Sequence, residues 1–298
     1  VRAPRPSRRE AVAAILAAGA GLHPARNAAA APMPRVAAAG WAGAQTLLAL
    51  GVVPLALPEI ARYRALVAEP PLPESVQELG LRSEPNLELL TALAPHLIVA
   101  DAGSVTSPLA RIAPVATFAP LRPGRRPAEA AREATLALAA RLGRDAEAQS
   151  LIAAHEARLA GAAERLSGDR GGPLCLVSDA FGNRALVFGG NSLYQDVLDR
   201  VGLRNAFTGA TSAWGHATVG LDQLAALDPT TRLVLLTSRV PDARTFLALR
   251  PLWRTLPFLR EERVTVLADI LFYGGLPSAD RFARLLAERL APGNAARG

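Results

Sequence analysis

The sequence predicts an α/β fold of two lobes joined by a long helix. Three observations carry that prediction. Short apolar runs alternate with helical patterns from about residue 35 to 118, and the same alternation resumes after residue 173. Between them, 126–167 is helical in pattern throughout and broken once, at Gly143. At 298 residues, half of them apolar, the chain is also long enough to build two cores.

The chain opens with "RPSRREAVAAILAAGAGLHPARNAAAA", a basic start followed by an Ala-rich, mildly apolar run too short to span a bilayer. Small residues suited to A-x-A cleavage end it. Ser7-Arg8-Arg9 resembles a twin-arginine export signal, so residues 1–31 are expected to be cleaved near Ala30, leaving a soluble protein in the periplasm. The same segment carries five arginines against Glu10, so 7 − 4 = +3 remains on the rest of the chain. That balance, without a basic tract interleaved with aromatics, argues against nucleic acid as a partner.

"RVAAAGW" reads as a first strand, "AGAQTLLALGV" as a helix stopped at Gly51, and "VVPLAL" as a second strand. Next comes "LGLRSEPNLELLTALAPHLIV", with Ser83 as N-cap, Pro85 in the first turn, and "PHLIVA" as a buried strand. "ARIAPVATF" adds a further strand, completing a lobe over 32–125. The bridge, 126–168, has Asp145 as N-cap of its second part, in which Leu151, Ile152, His155, Leu159 and Leu166 share one side. The second lobe, 169–298, follows as "PLCLVSD", "ALVFG", "SLYQDVLDRVG", "RLVLLTS", "RVTVLAD" and a closing helix, "SADRFARLLAERL". A cleft between two such lobes is the natural ligand site.

Arg82 is the first candidate for that site. It stands just ahead of a helix N-terminus, which is itself electropositive, so two positive elements converge where an anionic oxygen would arrive. From this stretch alone, an ordinary solvated or ion-paired arginine fits equally well. Cys175, the single cysteine, lies in an apolar strand and reads as an inert core thiol. "FGGNSLY" places Gly189 and Gly190 before a helix, either to make a strand-to-helix turn or to cradle an anion. An exported α/β hydrolase is the rival class, but no G-x-S-x-G elbow occurs. Of four histidines, His23 falls in the export segment, His155 on the bridge and His96 before a buried strand, so no bound metal ion is expected.

Taken in order, "YRALVAEPPLPESVQELGLRSEPNLELLTALAPHLIV", "ARIAPVATF", "VFGGNSLYQDVLDRVGLRNAF", "WGHATVGLDQLAAL", "PLWRTLPFLREERV" and "FYGG" resemble the periplasmic iron(III)-hydroxamate-binding proteins, the substrate-binding components of siderophore ABC importers. The resemblance runs from about residue 35 to about 290. It implies two Rossmann-like lobes joined by a rigid helix, the class III periplasmic binding protein architecture. It also implies a monomer that binds a ferric siderophore, catalyses nothing, needs no cofactor, and hands its ligand to an inner-membrane permease and ATPase. Matched residue by residue, Arg82 stands where the family's arginine donates to hydroxamate oxygens, and Trp214 and Tyr273 stand where pocket aromatics stand. Leu66, Ala100, Ser104, Phe207 and Leu271 occupy positions that carry tryptophan or tyrosine in ferrichrome binders, and His216 replaces a small serine. Those departures predict a roomier, less aromatic pocket, with a haem- or corrinoid-like ligand as the alternative cargo.

Overall fold

Residues 34–256, 258–259 and 263–291 are described by a computed structural model, so the expected export segment lies outside the described residues. Strands β1 (Val36–Ala38), β4 (Leu97–Asp101) and β5 (Val115–Phe118) form a parallel sheet in the order β1-β4-β5. β1 and β4 are near-continuous apolar runs because both sheet faces are covered. One cover is helix α1 (Trp41–Ala49), which ends before Gly51 as its sequence predicts. The expected second strand shrinks to β2 (Ala56–Leu57), paired in parallel with β3 (Gln77–Glu78). Pro54 and Pro58 bracket it, and each lacks the N–H that would extend a ladder.

Helix α2 (Ile60–Leu66) precedes β3, and α3 (Leu87–Ala92) precedes β4. The N-cap of α3 is Asn86, whose side chain accepts from Leu89 N at 2.9 Å, and not Ser83 as the sequence suggests. Residues 80–85 instead fold back on themselves: Gly80 and Pro85 form an antiparallel bridge and Asn86 N donates to Leu79 O at 2.7 Å. Arg82 is therefore displayed by a tight loop, not by a helix start.

The bridge consists of α4 (Pro127–Leu142) and α5 (Asp145–Leu166), separated at Gly143, which has φ +63. Arg144 is the N-cap of α5, and Asp145 is its first helical residue, where its charge still favours the helix dipole. At 1.5 Å per residue α5 is a rod of roughly 33 Å. Its buried stripe is Ala148, Ile152, His155, Leu159, Ala162 and Leu166, spaced alternately four and three apart.

The second lobe is built on a five-stranded sheet ordered β10-β9-β6-β7-β8: β6 (Leu174–Phe181), β7 (Arg184–Phe188), β8 (His216–Gly220), β9 (Arg232–Leu236) and β10 (Val264–Leu267). β6, β9 and β10 run parallel, whereas β7 and β8 turn back antiparallel. β8 is a short edge strand that the sequence does not announce. Around the sheet lie α6 (Leu193–Val201), α7 (Leu221–Ala225), α8 (Ala243–Leu249) and α9 (Leu276–Leu290). Helix α9 packs on α5 and α6, and also reaches α1 of the first lobe. His155 of α5 meets Asp280 of α9, which also accepts from Arg158 at 2.8 Å.

The loop Ile270–Tyr273, which closes a turn by Gly274 N donating to Leu271 O at 2.9 Å, lies where the two lobes meet. Ile270 and Phe272 pack into the core of the second lobe, while Leu271 and Tyr273 pack into the core of the first. Successive side chains of this one loop thus belong to opposite cores. Ser278 Oγ reinforces the seam by donating to Gln45 Oε1 at 2.8 Å, and Glu69 accepts from Arg281 and Arg284.

Candidate functional site

Arg82, Trp214, His216 and Tyr273 form one contiguous array. Arg82 Nη1 donates to the Tyr273 hydroxyl across the seam, and its Nε donates to Glu59 Oε2 at 2.9 Å. Its guanidinium carbon lies 3.8 Å from the Trp41 ring centroid, a stacked cation–π contact. The cation that looks unpaired in sequence is therefore paired, and only part of its hydrogen-bonding capacity is used. A guanidinium has five N–H donors, so the Glu59 and Tyr273 bonds leave several open. Its side chain is one-third exposed, at 32%.

The aromatic wall runs from Trp214 to Tyr273 (6.0 Å between centroids), on to Phe272 (5.0 Å) and then to His216 (5.6 Å), every pair close to perpendicular. Edge-to-face pairs of this kind add about 0.5–1.5 kcal/mol beyond area burial. Trp214 is exposed, at 41%, whereas Trp41 and Trp253 are buried. A Cβ on Gly215 would lie 2.4 Å from the Ser192 backbone, so only glycine lets the loop carrying Trp214 close onto the start of α6. His216 begins β8 opposite Phe188, and burial lowers its pKa from the usual imidazole value, favouring the neutral ring. Burial pushes the Tyr273 phenol up to about 12, so it remains a neutral hydroxyl that can both donate and accept.

Beneath Arg82 lies Asp101, at the carboxyl end of β4. Its carboxylate caps α1 from outside the helix, accepting from Ala42 N at 3.1 Å and Gly43 N at 2.8 Å. The position before the helix is Gly40, because a Cβ there would come within 2.2 Å of Asp101 Cγ. Burial raises the Asp101 pKa, opposed by these N–H donors and by Arg82.

Ser104 is half-buried in the turn after β4, its N–H bonded to Asp101 O at 3.2 Å. Leu66 is half-buried at the end of α2 against the first-lobe core. Leu271 and Ala100 are core residues, at 5% and 0% exposure. Phe207 lines a separate cavity of about 670 Å³ with Asn205, Thr208 and Gly190. A second cavity, of about 690 Å³, lies between α5, α9 and the loop at Glu69–Pro71. Neither is lined by Arg82, Trp214, His216 or Tyr273.

Trp41, Glu59 and Asp101 belong to the array and are not marked by any motif, while Phe272 lies in the "FYGG" motif beside Tyr273. Asp101 has a signal of its own, since ligands of open α/β sheets gather at the carboxyl ends of strands. Ser192, which follows the Gly189–Gly190 turn, is 1% exposed and spent as the α6 N-cap, accepting from Gln195 N at 3.0 Å and donating to Gly189 O. Gly189 N donates to Gly215 O, so that loop makes the strand-to-helix turn. Burial pushes the Cys175 thiol up to about 12. Among the described residues no three His, Cys, Asp or Glu side chains group to hold a metal ion, and no helix is long and apolar enough to cross a membrane.

Residues 36–271 match the sequence profile of the family described as Periplasmic binding protein. The chain belongs to that family. As a periplasmic binding protein it is a carrier of ligand and not an enzyme. It is 38% identical over 254 residues to the iron(3+)-hydroxamate-binding protein FhuD of Escherichia coli (strain K12), covering 85% of each chain. The solved siderophore-binding protein FhuD from Vibrio cholerae, with Fe3+–Desferal bound, is similar at a TM-score of 0.78 and 29% identity, over 87% of this chain and 100% of that one. FeuA from Bacillus subtilis, a triscatecholate siderophore binding protein complexed with ferri-bacillibactin, has the same fold at a TM-score of 0.62 and 17% identity, over 87% and 93% of the two chains. The two-lobed class III architecture holds across these matches.

Proposed function

We propose that this periplasmic binding protein captures a ferric siderophore of the hydroxamate class at the Arg82–Tyr273–Trp214 face and delivers it to the permease and ATPase of an ABC importer. The iron is cargo, held by the siderophore's own oxygens. Those oxygens carry delocalised negative charge, and the open donors of Arg82 supply charge-assisted hydrogen bonds, the strong kind. The neutral Tyr273 hydroxyl adds a second donor, and the Trp214–Phe272–His216 wall matches an apolar siderophore exterior.

The single observation that carries the reading is the partly satisfied Arg82, facing an aromatic wall, in a chain 38% identical to an iron(3+)-hydroxamate-binding protein. The reading includes a twin-arginine signal over 1–31, a lobe over 32–125, a bridge over 126–168, a lobe over 169–298, and a soluble periplasmic monomer. Native mass spectrometry against ferrichrome, ferrioxamine B, a ferric triscatecholate, haem and cobalamin tests it, with metal-free siderophores as controls. Retention of the ferric trihydroxamates, with the metal-free forms washing out, is the expected result. Retention of haem or cobalamin alone, or of nothing, sinks the reading.

A further inference from the structure

Glu59 sits in the left-handed region, at φ +53 and ψ +50, where a residue other than glycine, asparagine or aspartate is uncommon. Its backbone is pinned there from behind. Its N–H donates to Glu78 Oε1 at 2.8 Å and to Gly80 O at 2.9 Å, and the same Glu78 carboxylate accepts from Ile60 N and Gly80 N, each at 2.8 Å. The residue before it is tied to the indole, since Trp41 Nε1 donates to Pro58 O at 3.0 Å. Such a conformation persists only where surrounding structure imposes it, and it is a pointer to function.

The side chain so presented is only 12% exposed, and its Oε2 accepts from both Arg82 Nε, at 2.9 Å, and Arg62 Nη1, at 3.1 Å. With Nε held by Glu59 and its face stacked on Trp41, the Arg82 fork is fixed in both tilt and rotation. We propose that Glu59 is a positioning residue: it holds the Arg82 guanidinium ready, with its Nη side beside Tyr273, before ligand arrives. That the arriving oxygen belongs to a ferric hydroxamate rests on the functional reading above. Holding one rotamer-rich side chain in advance spares the ordering cost of binding, and the spared cost corresponds to about a three- to tenfold gain in affinity.

The test combines a double-substitution cycle with a ligand-free signal. Glu59→Gln keeps the shape and loses the charge, and the backbone remains held by Glu78, so the fold is expected to survive. Titrated with ferrichrome and ferrioxamine B, Glu59→Gln should bind about three- to tenfold more weakly than wild type. In an Arg82→Ala background the same change should alter Kd by less than about twofold, because its effect runs through Arg82. Without ligand, the Arg82 Nε–H resonance, identified by its loss in Arg82→Ala, should be protected from exchange in wild type and lost in Glu59→Gln. Wild-type affinity in Glu59→Gln, an equal loss in both backgrounds, or an Nε–H signal indifferent to Glu59 overturns the proposal. Should no ferric complex bind wild type, the siderophore reading fails, while the Nε–H signal still decides whether Glu59 holds Arg82.

Discussion

Replacing Arg82 by alanine removes four things at once: the donors offered to ligand, the bond to Tyr273 across the seam, one of the two arginine partners of Glu59, and the stack on Trp41. A hydrogen bond to a charged group contributes about 1.5–3 kcal/mol. Arg82 is one-third exposed before ligand binds, which screens it in the free protein, but a siderophore seated on the wall would desolvate it. Loss of that bonding corresponds to roughly ten- to a hundred-fold weaker binding. Arg82→Lys keeps the charge without the planar fork, so it should recover only part. Tyr273→Phe deletes one neutral hydroxyl and leaves Trp214 its ring partner, so it should cost least. Trp214 is the exposed tryptophan, while Trp41 and Trp253 are buried, so quenching by a ferric siderophore reports on this face. Titration should give the affinity order wild type, Tyr273→Phe, Arg82→Lys, Arg82→Ala, with folding little changed because Arg82 sits on a loop. An Arg82→Ala protein that binds like wild type would refute the claim that this face reads anionic oxygens.

Gly40→Ala should push a methyl group against Asp101, dislodge the cap of α1 and cost about 1–3 kcal/mol; calorimetry should show a clear fall in Tm, and an unchanged Tm contradicts the capping role. His216 has a lowered pKa from burial, so the unfolded chain binds its proton more readily and its contribution to stability is lost as pH falls below about 6.5. Urea midpoints at pH 5 and pH 7.5 should therefore differ less in His216→Phe than in wild type. The helix α5 and the Gln45–Ser278 and Glu69–Arg281 ties should keep lobe motion small, so X-ray scattering with and without ligand should nearly superpose; marked compaction would count against it. Arg8→Lys with Arg9→Lys should hold the precursor in the cytoplasm, and mature protein should begin near Pro32 by intact-mass measurement; normal export of the double variant rules out the twin-arginine reading.

Elements whose physics is local can be read from the chain. Helix α5 is visible because its buried residues recur every three or four positions, and β4 because "PHLIVA" is an unbroken apolar run. The short strands are harder: β2 is cut down by its flanking prolines, and β8 is mostly part-exposed, so it shows neither an apolar run nor an alternation. Arg82 is recognisable only through the long motifs around it, since its partner Glu59 lies 23 residues away in a loop whose path depends on Glu78. Asp101 hides for a similar reason. As an acidic residue ending a strand it is ordinary, and its role as a cap follows from a packing of β4 on α1 that no spacing encodes. Leu271 and Tyr273 illustrate the remaining gap: two residues apart, both matched to a pocket, yet one is buried and the other half-buried with its hydroxyl on Arg82.

The segment Ile270–Tyr273 has a consequence for anyone who would recombine this protein with its relatives. Because neighbouring side chains of one loop fill different cores, no cut through it yields two lobes that each keep a complete interior. A chimera exchanging the second lobe must carry Leu271 and Tyr273 into a foreign first lobe, where a misfit of one methylene is felt in packing. Cargo preference is therefore better altered in place, at positions such as 214 and 216 on the loop and edge strand, than by grafting a lobe. Phe272 and Tyr273 alone belong both to this seam and to the aromatic array, so a change at either one disturbs both.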